Sequence, residues 1–164
     1  MSTITLLGCG SSVGAPWITG DWRNLKKKAR NIRTRCCAHI RHKDFSILID
    51  TSPDIKNQCI QNNVRTLDAV LYTHAHADQS SGIFELRPFF WKNKKEIPIY
   101  GSSKTINDLK KSHRYCFVAK QGYLPIVNHL SLFTPLRYDL YLNTHDLTPL
   151  APILRYRPFP SLTR

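Results

Sequence analysis

Thr73-His74-Ala75-His76-Ala77-Asp78 is the most informative segment of this 164-residue chain. It directly follows Ala69-Val70-Leu71-Tyr72, a short apolar run typical of a buried strand. Side chains two residues apart on an extended segment point to the same side, so His74 and His76 can bind one divalent ion while Asp78 reaches a second. Imidazole and carboxylate suit zinc or manganese, and two ions about 3.5–4 Å apart can hold a phosphoryl group. A loop of surface polar residues is the alternative for so short a motif.

Apolar runs on both sides of this segment predict alternating strands and helices. Predicted strands cover 3–7, 35–42, 45–50, 69–72 and 97–100, and predicted helices cover 53–62, 80–92 and 103–113. This alternation predicts an α/β layered domain. Periodicity fades after the last helix, so we expect a structured domain over residues 1–116 and an irregular or degenerate segment over residues 117–164.

Asp50 ends the earlier buried strand, in the run Leu48-Ile49-Asp50-Thr51-Ser52-Pro53-Asp54. A carboxylate at this place can orient a ligand histidine from behind the metal. Asp50 or Ser52 can equally cap a helix that begins at Pro53. The two roles are compatible, and both stay open at this point.

The formal net charge of +13 points to an anionic substrate or to nucleic acid, although simple solvation of the lysines is the alternative. The densest basic stretch contains Arg23, Lys26, Lys27, Lys28, Arg30, Arg33 and Arg35. The planar guanidinium suits phosphate oxygens, and Arg33 and Arg35 share a face of an extended segment. We therefore predict that these two arginines bind substrate phosphate, while the three consecutive lysines are solvated. Pairing of both arginines with nearby carboxylates such as Asp50 or Asp54 is the alternative.

Other features of composition limit the class of protein. Five cysteines without a C-x-x-C pair argue against a disulfide framework and against a cysteine-based zinc site. No apolar run approaches the ~20 residues that span a bilayer, so no membrane association is expected. The N-terminus has no basic region followed by a long apolar stretch, and we expect a cytoplasmic protein.

Four ordered motifs resemble one branch of the metallo-β-lactamase fold, which contains the phosphoribosyl cyclic phosphodiesterases. They are Leu7-Gly8-Cys9-Gly10-Ser11-Ser12-Val13-Gly14-Ala15-Pro16, Asn31-Ile32-Arg33-Thr34-Arg35, Ile49-Asp50-Thr51-Ser52-Pro53-Asp54 and Thr73-His74-Ala75-His76-Ala77-Asp78, followed by Gly82 and Leu86-Arg87. The resemblance covers roughly residues 3–116. It implies the N-terminal part of an αββα sandwich and a metal-dependent hydrolase of phosphodiester or cyclic phosphate substrates, with Asp78 at the catalytic centre.

The departures from that family's pattern concern its metal ligands. The family motif is H-x-H-x-D-H, and Gln79 stands at the last histidine, where a neutral amide is a poor ligand. Phe84-Glu85 replaces an acidic pair. The family takes two further histidines and an aspartate from its second half, before which this chain is expected to end. We therefore expect a truncated, weakly active or inactive remnant, or completion by a dimer or a complementing chain.

Two other functions remain open. An RNA-processing nuclease of the same superfamily also carries the histidine motif, but such enzymes usually have glycine where Ala77 stands. A non-enzymatic basic nucleic-acid-binding protein would explain the charge, although no RNP, KH or zinc-finger pattern is present. His113, His129 and His145 match no motif and are expected to be surface histidines.

Overall fold

A computed structural model describes residues 1–120 and 122–132 of the chain. Six strands in this part form one sheet in the order β1-β2-β3-β4-β5-β6. They are β1 (Ser2–Gly8), β2 (Cys37–His42), β3 (Phe45–Ile49), β4 (Ala69–Leu71), β5 (Ile97–Ser102) and β6 (Val127–Leu132). Strand β2 is antiparallel to β1 and β3, whereas β4, β5 and β6 run parallel to β3. The carboxyl ends of all these strands except β2 therefore lie at the same edge of the sheet.

Short helices connect the strands. They are α1 (Ile55–Gln61), α2 (Ala77–Ser80), α3 (Arg87–Asn93), α4 (Ser103–Ser112) and α5 (Arg114–Phe117), with 3-10 turns at Ala29–Asn31 and Ser81–Leu86. None of the helices in the described part is long and apolar enough to cross a bilayer.

The sheet buries apolar side chains on both faces, as its alternating register requires. Leu48, Val70 and Ile99 of one face belong to the main core. This core continues into the helices through Ile55, Ile83, Leu86, Ile106 and Leu109. A smaller buried cluster on the opposite face contains Ile40, Ile47, Ala69, Leu71 and Tyr100. Buried runs on neighbouring strands thus hold the strand ends, and the loops that follow them, in fixed positions.

The single helix predicted over 80–92 is wrong, because the structure divides it into α2, a 3-10 turn and α3. The cause lies at Gly82, whose N–H donates to the Thr51 carbonyl across 2.9 Å. A Cβ atom at Gly82 would lie only 2.2 Å from the Ser52 carbonyl oxygen. The close packing of this backbone against residues 51–52 therefore prevents a continuous α-helix, although the apolar residues recur at helical spacing. Pro88 then occupies the first turn of α3, where proline is tolerated.

The expectation of an irregular segment over 117–164 is wrong for residues 127–132. Strand β6 pairs in parallel with β5, from Ile97 opposite Val127 to Ser102 opposite Leu132. Ile126 and Val127 are buried in the main core. Pairing with β5 and this burial therefore stabilise β6, although its sequence lacks a clear alternation of apolar and polar residues. Residues 133–164 lie outside the described part, and the expectation for them stays a prediction.

Candidate metal centre

The chain that follows β4 brings three predicted metal ligands together. One ligand atom each from His74, His76 and Asp78 lies within 4.8 Å of the other two. The two imidazole rings have centroids 4.7 Å apart and meet edge to face. Both histidines are exposed and Asp78 is half-buried, so the cluster opens to solvent. It lies at the carboxyl edge of the sheet, where the loops after β1, β3 and β5 also begin.

Backbone contacts fix the loop that bears these side chains. His76 is extended and precedes α2, and its carbonyl accepts hydrogen bonds from the Gln79 N–H at 3.0 Å and from Ser80 Oγ at 2.9 Å. The Gln79 carbonyl in turn accepts from the Thr51 N–H at 2.7 Å. The ligand loop is therefore attached to the loop that follows β3.

Asp50 contacts the ligand loop through Thr73. Its carboxylate accepts the Thr73 N–H at Oδ1 across 2.8 Å and the Thr73 hydroxyl at Oδ2 across 2.7 Å. Thr73 Oγ1 also lies 2.9 Å from His74 Nδ1. The hydroxyl has one proton, which it donates to Asp50, so it must accept the proton on Nδ1. This network leaves the Nε2 lone pair of His74 available to a metal.

Asp50 is buried, and burial raises the pKa of its carboxyl, while the hydrogen bonds from Thr73 act in the opposite direction. Its φ of 62° places it in the left-handed region, an outlier of the kind found at functional sites. It does not cap α1, which begins at Ile55 without a side-chain cap. Ser52 Oγ accepts from the Asp54 N–H at 3.2 Å, so only Ser52 contributes at that helix start.

Gln79 lies beside the cluster and is buried. Its side-chain Nε2 donates to Asp78 Oδ2 across 3.1 Å. The Gln79 amide thus orients the Asp78 carboxylate through its NH2 group. The role of Gln79 as a metal ligand stays a prediction.

Arg33 and Arg35, which were expected to converge on one anion, have different partners in the structure. The Arg35 guanidinium pairs with Asp54 at 2.9 Å and donates to the Ser12 carbonyl at 3.1 Å. The Arg33 guanidinium donates to the carbonyls of Arg30 and Ile32. Arg35 is thus paired with a carboxylate, whereas the carbonyls engage only Nη1 of Arg33, and the binding of substrate phosphate stays a prediction. The lysines at 26–28 are exposed, as expected.

The remaining histidines in the described part lie outside the ligand cluster. His113 is half-buried rather than exposed, and its Nε2 lies 3.3 Å from Ser80 Oγ, directly behind the ligand loop. Burial lowers the pKa of His113. His129 is exposed and lies 2.7 Å from Lys110 Nζ. His145 lies outside the described residues.

Two residues behind the site were missed by the sequence analysis. Thr73 orients His74, and Ser80 joins the ligand loop to His113. Thr73 stands directly before the first histidine of the motif, but the hydrogen bonds of a single hydroxyl group produce no recurring pattern in a sequence, so its role could not be predicted from the motif. The Ser80 contact spans 33 positions and becomes visible only in the fold.

The donor set fits a divalent ion. Two imidazoles and one carboxylate are the types of ligand found in catalytic zinc sites, which use three protein ligands and leave a position open. The exposed position of both histidines agrees with such an open site. A closed structural site would need a fourth protein ligand, and the described residues supply no further histidine, cysteine, aspartate or glutamate to this cluster.

Residues 46–146 match the family described as the β-lactamase superfamily domain. The chain belongs to this family. The match includes the Asp50 loop, the ligand loop and β4 to β6. The resemblance to the metallo-β-lactamase fold is thereby confirmed, and so is the α/β class, since the six-stranded sheet with its helices corresponds to the N-terminal part of that fold.

This β-lactamase superfamily domain is similar to several known proteins. It is 33% identical over 114 residues to an octanoyltransferase of Porphyromonas gingivalis, a match that covers 68% of this chain and 23% of that protein. The crystal structure of a diphosphatase from the PhnP family superposes with a TM-score of 0.68 and 28% identity, over 80% of this chain and 50% of that one. This superfamily domain thus spans about half the length of its solved relative.

A more distant likeness shows the fold alone. Zinc-bound PqqB from Methylobacterium extorquens matches with a TM-score of 0.58 and 18% identity, over 80% of this chain and 46% of that one. At this identity the shared architecture is informative about the sheet and its loops, and says nothing about the substrate of this superfamily domain.

Proposed function

We propose that the chain is a metal-dependent hydrolase of phosphodiester or cyclic phosphate substrates. The proposal rests chiefly on one observation, the cluster of His74, His76 and Asp78 within 4.8 Å at the carboxyl edge of the sheet. The 28% identity with a diphosphatase of the PhnP family supports a phosphate ester as the substrate. Zinc or manganese are the ions that suit this donor set.

Each residue of the site has a distinct role in this proposal. His74 and His76 hold the ion, and Thr73 with Asp50 keeps His74 in the tautomer that leaves Nε2 free. Asp78 adds a negative ligand beside the reacting phosphate, and Gln79 holds that carboxylate in place. A divalent ion bound there would supply Lewis acidity toward the phosphoryl oxygens and lower the pKa of water.

The basic loop is proposed to attract the phosphate substrate. Of the two arginines predicted to bind it, Arg35 is already paired with Asp54, and we assign it to holding the loop. Arg33 pairs with no carboxylate in the described part and lines a cleft of about 290 Å³ together with Gly10, Arg23 and Asp21, the last of which is paired with Arg23. We therefore propose Arg33 as the phosphate-binding residue of this loop.

The described part supplies three ligands for one ion, and we propose weak metal binding and weak turnover for this part alone. Further ligands would come from residues outside 1–120 and 122–132, or from a second polypeptide, either a second copy or a complementing chain. All five cysteines lie in the described part as free thiols, which supports a reducing compartment such as the cytoplasm.

A second candidate is action on RNA, supported by the net charge of +13 and by the exposed lysines at 26–28. This candidate uses the same ligands with a polymeric substrate. A steep decrease in RNA affinity with rising salt would favour it over a small phosphodiester.

Isothermal titration of metal-free protein with zinc tests the proposal, together with turnover of bis-p-nitrophenyl phosphate in added zinc or manganese. We expect His76→Ala to abolish zinc binding and turnover. His129→Ala is the matched control, because this exposed histidine lies outside the cluster, and it should retain both. Equal zinc binding by wild type and His76→Ala would contradict the proposal.

A further inference from the structure

Arg87, at the start of α3, lies among three aromatic rings. Its guanidinium carbon is 4.8 Å from the ring centroid of Phe84, 5.3 Å from that of Tyr123 and 6.0 Å from that of Trp91. The rings themselves remain accessible, since Phe84 is 44% exposed, Trp91 61% and Tyr123 62%. Tyr115, 53% exposed, extends the group, with its ring 5.9 Å from that of Phe84. We call these five residues the aromatic–arginine surface.

The Arg87 guanidinium has no hydrogen-bond partner among the described residues. Its Nε is buried and out of reach of a ligand at the surface, so the two Nη groups are the donors that remain for such a ligand. No carboxylate of the described residues forms an ion pair with Arg87, even though Glu85 is close in sequence. A cation held against aromatic faces keeps its planar fork of N–H donors, which fits the oxygens of an anion. The surface therefore offers an anion position surrounded by exposed aromatic rings.

This surface is connected to the back of the ligand loop through His113 and the buried Ser80. The Tyr115 ring lies 6.5 Å from the His113 ring, and His113 Nε2 lies 3.3 Å from Ser80 Oγ. Ser80 Oγ in turn donates to the His76 carbonyl across 2.9 Å. Phe84 and Arg87 also follow the ligand loop directly in sequence, through the 3-10 turn Ser81–Leu86.

We propose that the aromatic–arginine surface binds a nucleotide, with the base stacked on an exposed ring and a phosphate oxygen accepting from Arg87. Stacking on aromatic side chains tolerates every base, because each base has a π-face. A phosphate accepts from the Nη groups of Arg87, and the net charge of +13 attracts it. Through His113 and Ser80 the surface contacts the back of the ligand loop, so the nucleotide binds beside that loop and not at the metal cluster, and this inference stands apart from the proposed function.

A protein partner is the competing occupant, since tryptophan, tyrosine and arginine also dominate protein–protein hot spots. Arg87 forms no ion pair in the described part of the chain, and this favours the nucleotide, because a neutral apolar partner would offer no acceptor to its Nη groups. An interface on this surface between two copies of this basic chain would in addition bring like charges together.

Fluorescence of Trp91 tests the proposal, because the chain has three tryptophans and W17F/W22F leaves Trp91 as the remaining one. The protein is kept in EDTA, so metal binding and hydrolysis do not enter. We expect saturable quenching by AMP and none by ribose 5-phosphate, which lacks the base. Arg87→Gln and Tyr115→Leu should each weaken AMP binding by about tenfold, while Arg65→Gln, an exposed arginine elsewhere, should not.

Comparison of AMP with the trinucleotide ApApA distinguishes the two sources of the ligand. Tighter binding of ApApA indicates a strand of nucleic acid, and equal affinities indicate a free nucleotide, so both results support the site.

Absence of quenching by AMP, equal quenching by ribose 5-phosphate, or equal losses in Arg65→Gln and Arg87→Gln would overturn the proposed nucleotide site. A dimer that Trp91→Ala dissociates, with no AMP response, would assign the surface to a protein contact instead. Failure of zinc binding leaves this result unaffected, because the titration contains no free metal.

Discussion

The Asp50 carboxylate and the His74 imidazole are connected through a single hydroxyl group. Thr73 Oγ1 lies 2.7 Å from Asp50 Oδ2 and 2.9 Å from His74 Nδ1. Because Asp50 is buried and accepts the only hydroxyl proton, the imidazole must donate from Nδ1. The strand end at Asp50 therefore determines which nitrogen of His74 is presented to a metal.

Thr73→Val tests this connection, since valine keeps the shape of the side chain and removes the hydroxyl. We expect zinc affinity to decrease by about 10- to 100-fold, the usual effect of removing a group that orients a metal-binding histidine. Isothermal titration measures the change. Thr3→Val, on the exposed part of β1, is the matched control and should bind zinc like the wild type. Unchanged zinc affinity in Thr73→Val would show that His74 is oriented by other contacts.

Gln79→His should strengthen zinc binding. Gln79 is buried with its amide 3.1 Å from Asp78 Oδ2, so an imidazole there would lie beside the existing ligands. We expect a gain of about tenfold in affinity, because imidazole is a better zinc ligand than a neutral amide. Gln61→His makes the same change at an exposed position of α1 and should have no effect. A gain of equal size in both variants would indicate nonspecific binding.

The sequence predicted that His74, His76 and Asp78 lie together near Asp50, because both motifs follow buried strands. Ile47-Leu48-Ile49 and Ala69-Val70-Leu71 read as strands, and parallel neighbours place Asp50 and His74 at one edge. The sequence left open whether the two arginines bind phosphate or pair with carboxylates such as Asp54. Only the fold, which brings Asp54 to Arg35 across 19 positions, shows that Arg35 is paired. Strand β6 was missed because its stability comes from pairing with β5 and burial of Val127 rather than from local periodicity.

Gly82→Ala should destabilise the fold around the ligand loop. The new Cβ would lie 2.2 Å from the Ser52 carbonyl oxygen and 2.6 Å from Ile55 Cγ2, so the 3-10 turn must move. Such overpacking costs about 1–3 kcal/mol in the free energy of unfolding. Urea denaturation followed by circular dichroism measures it. Gly101→Ala is the control, because its nearest contacts at 3.3 Å need only small shifts. Equal stability of both variants would contradict the tight contact.

His39 should make the fold less stable in mild acid. Burial lowers its pKa from the ordinary value of 6.5, and Arg41 adds to the effect. The unfolded chain therefore binds the proton more readily than the folded protein does. The contribution of neutral His39 to the free energy of unfolding is fully present above pH 6.5, and it is lost as the pH falls from there toward the pKa of His39 in the folded protein. His39→Gln, which keeps a donor for Ser46 Oγ, should show a smaller decrease in the free energy of unfolding between about pH 7.5 and about pH 5.5. A decrease as large as in the wild type would assign the effect to other groups.

Arg33 and Arg35 should differ in what their loss impairs. Arg35 joins the basic loop to Asp54 by a partly exposed ion pair and by its own N–H, so Arg35→Ala should lower the free energy of unfolding by about 1 kcal/mol. Arg33 has no such partner in the described part, and Arg33→Ala should leave stability unchanged while raising KM for bis-p-nitrophenyl phosphate. Lys27→Ala, at an exposed position of the same loop, is the control for diffuse charge. A specific phosphate contact depends on the guanidinium of Arg33 and not on Lys27. An equal rise of KM in Lys27→Ala and Arg33→Ala would therefore show that the loop attracts phosphate only through its overall charge.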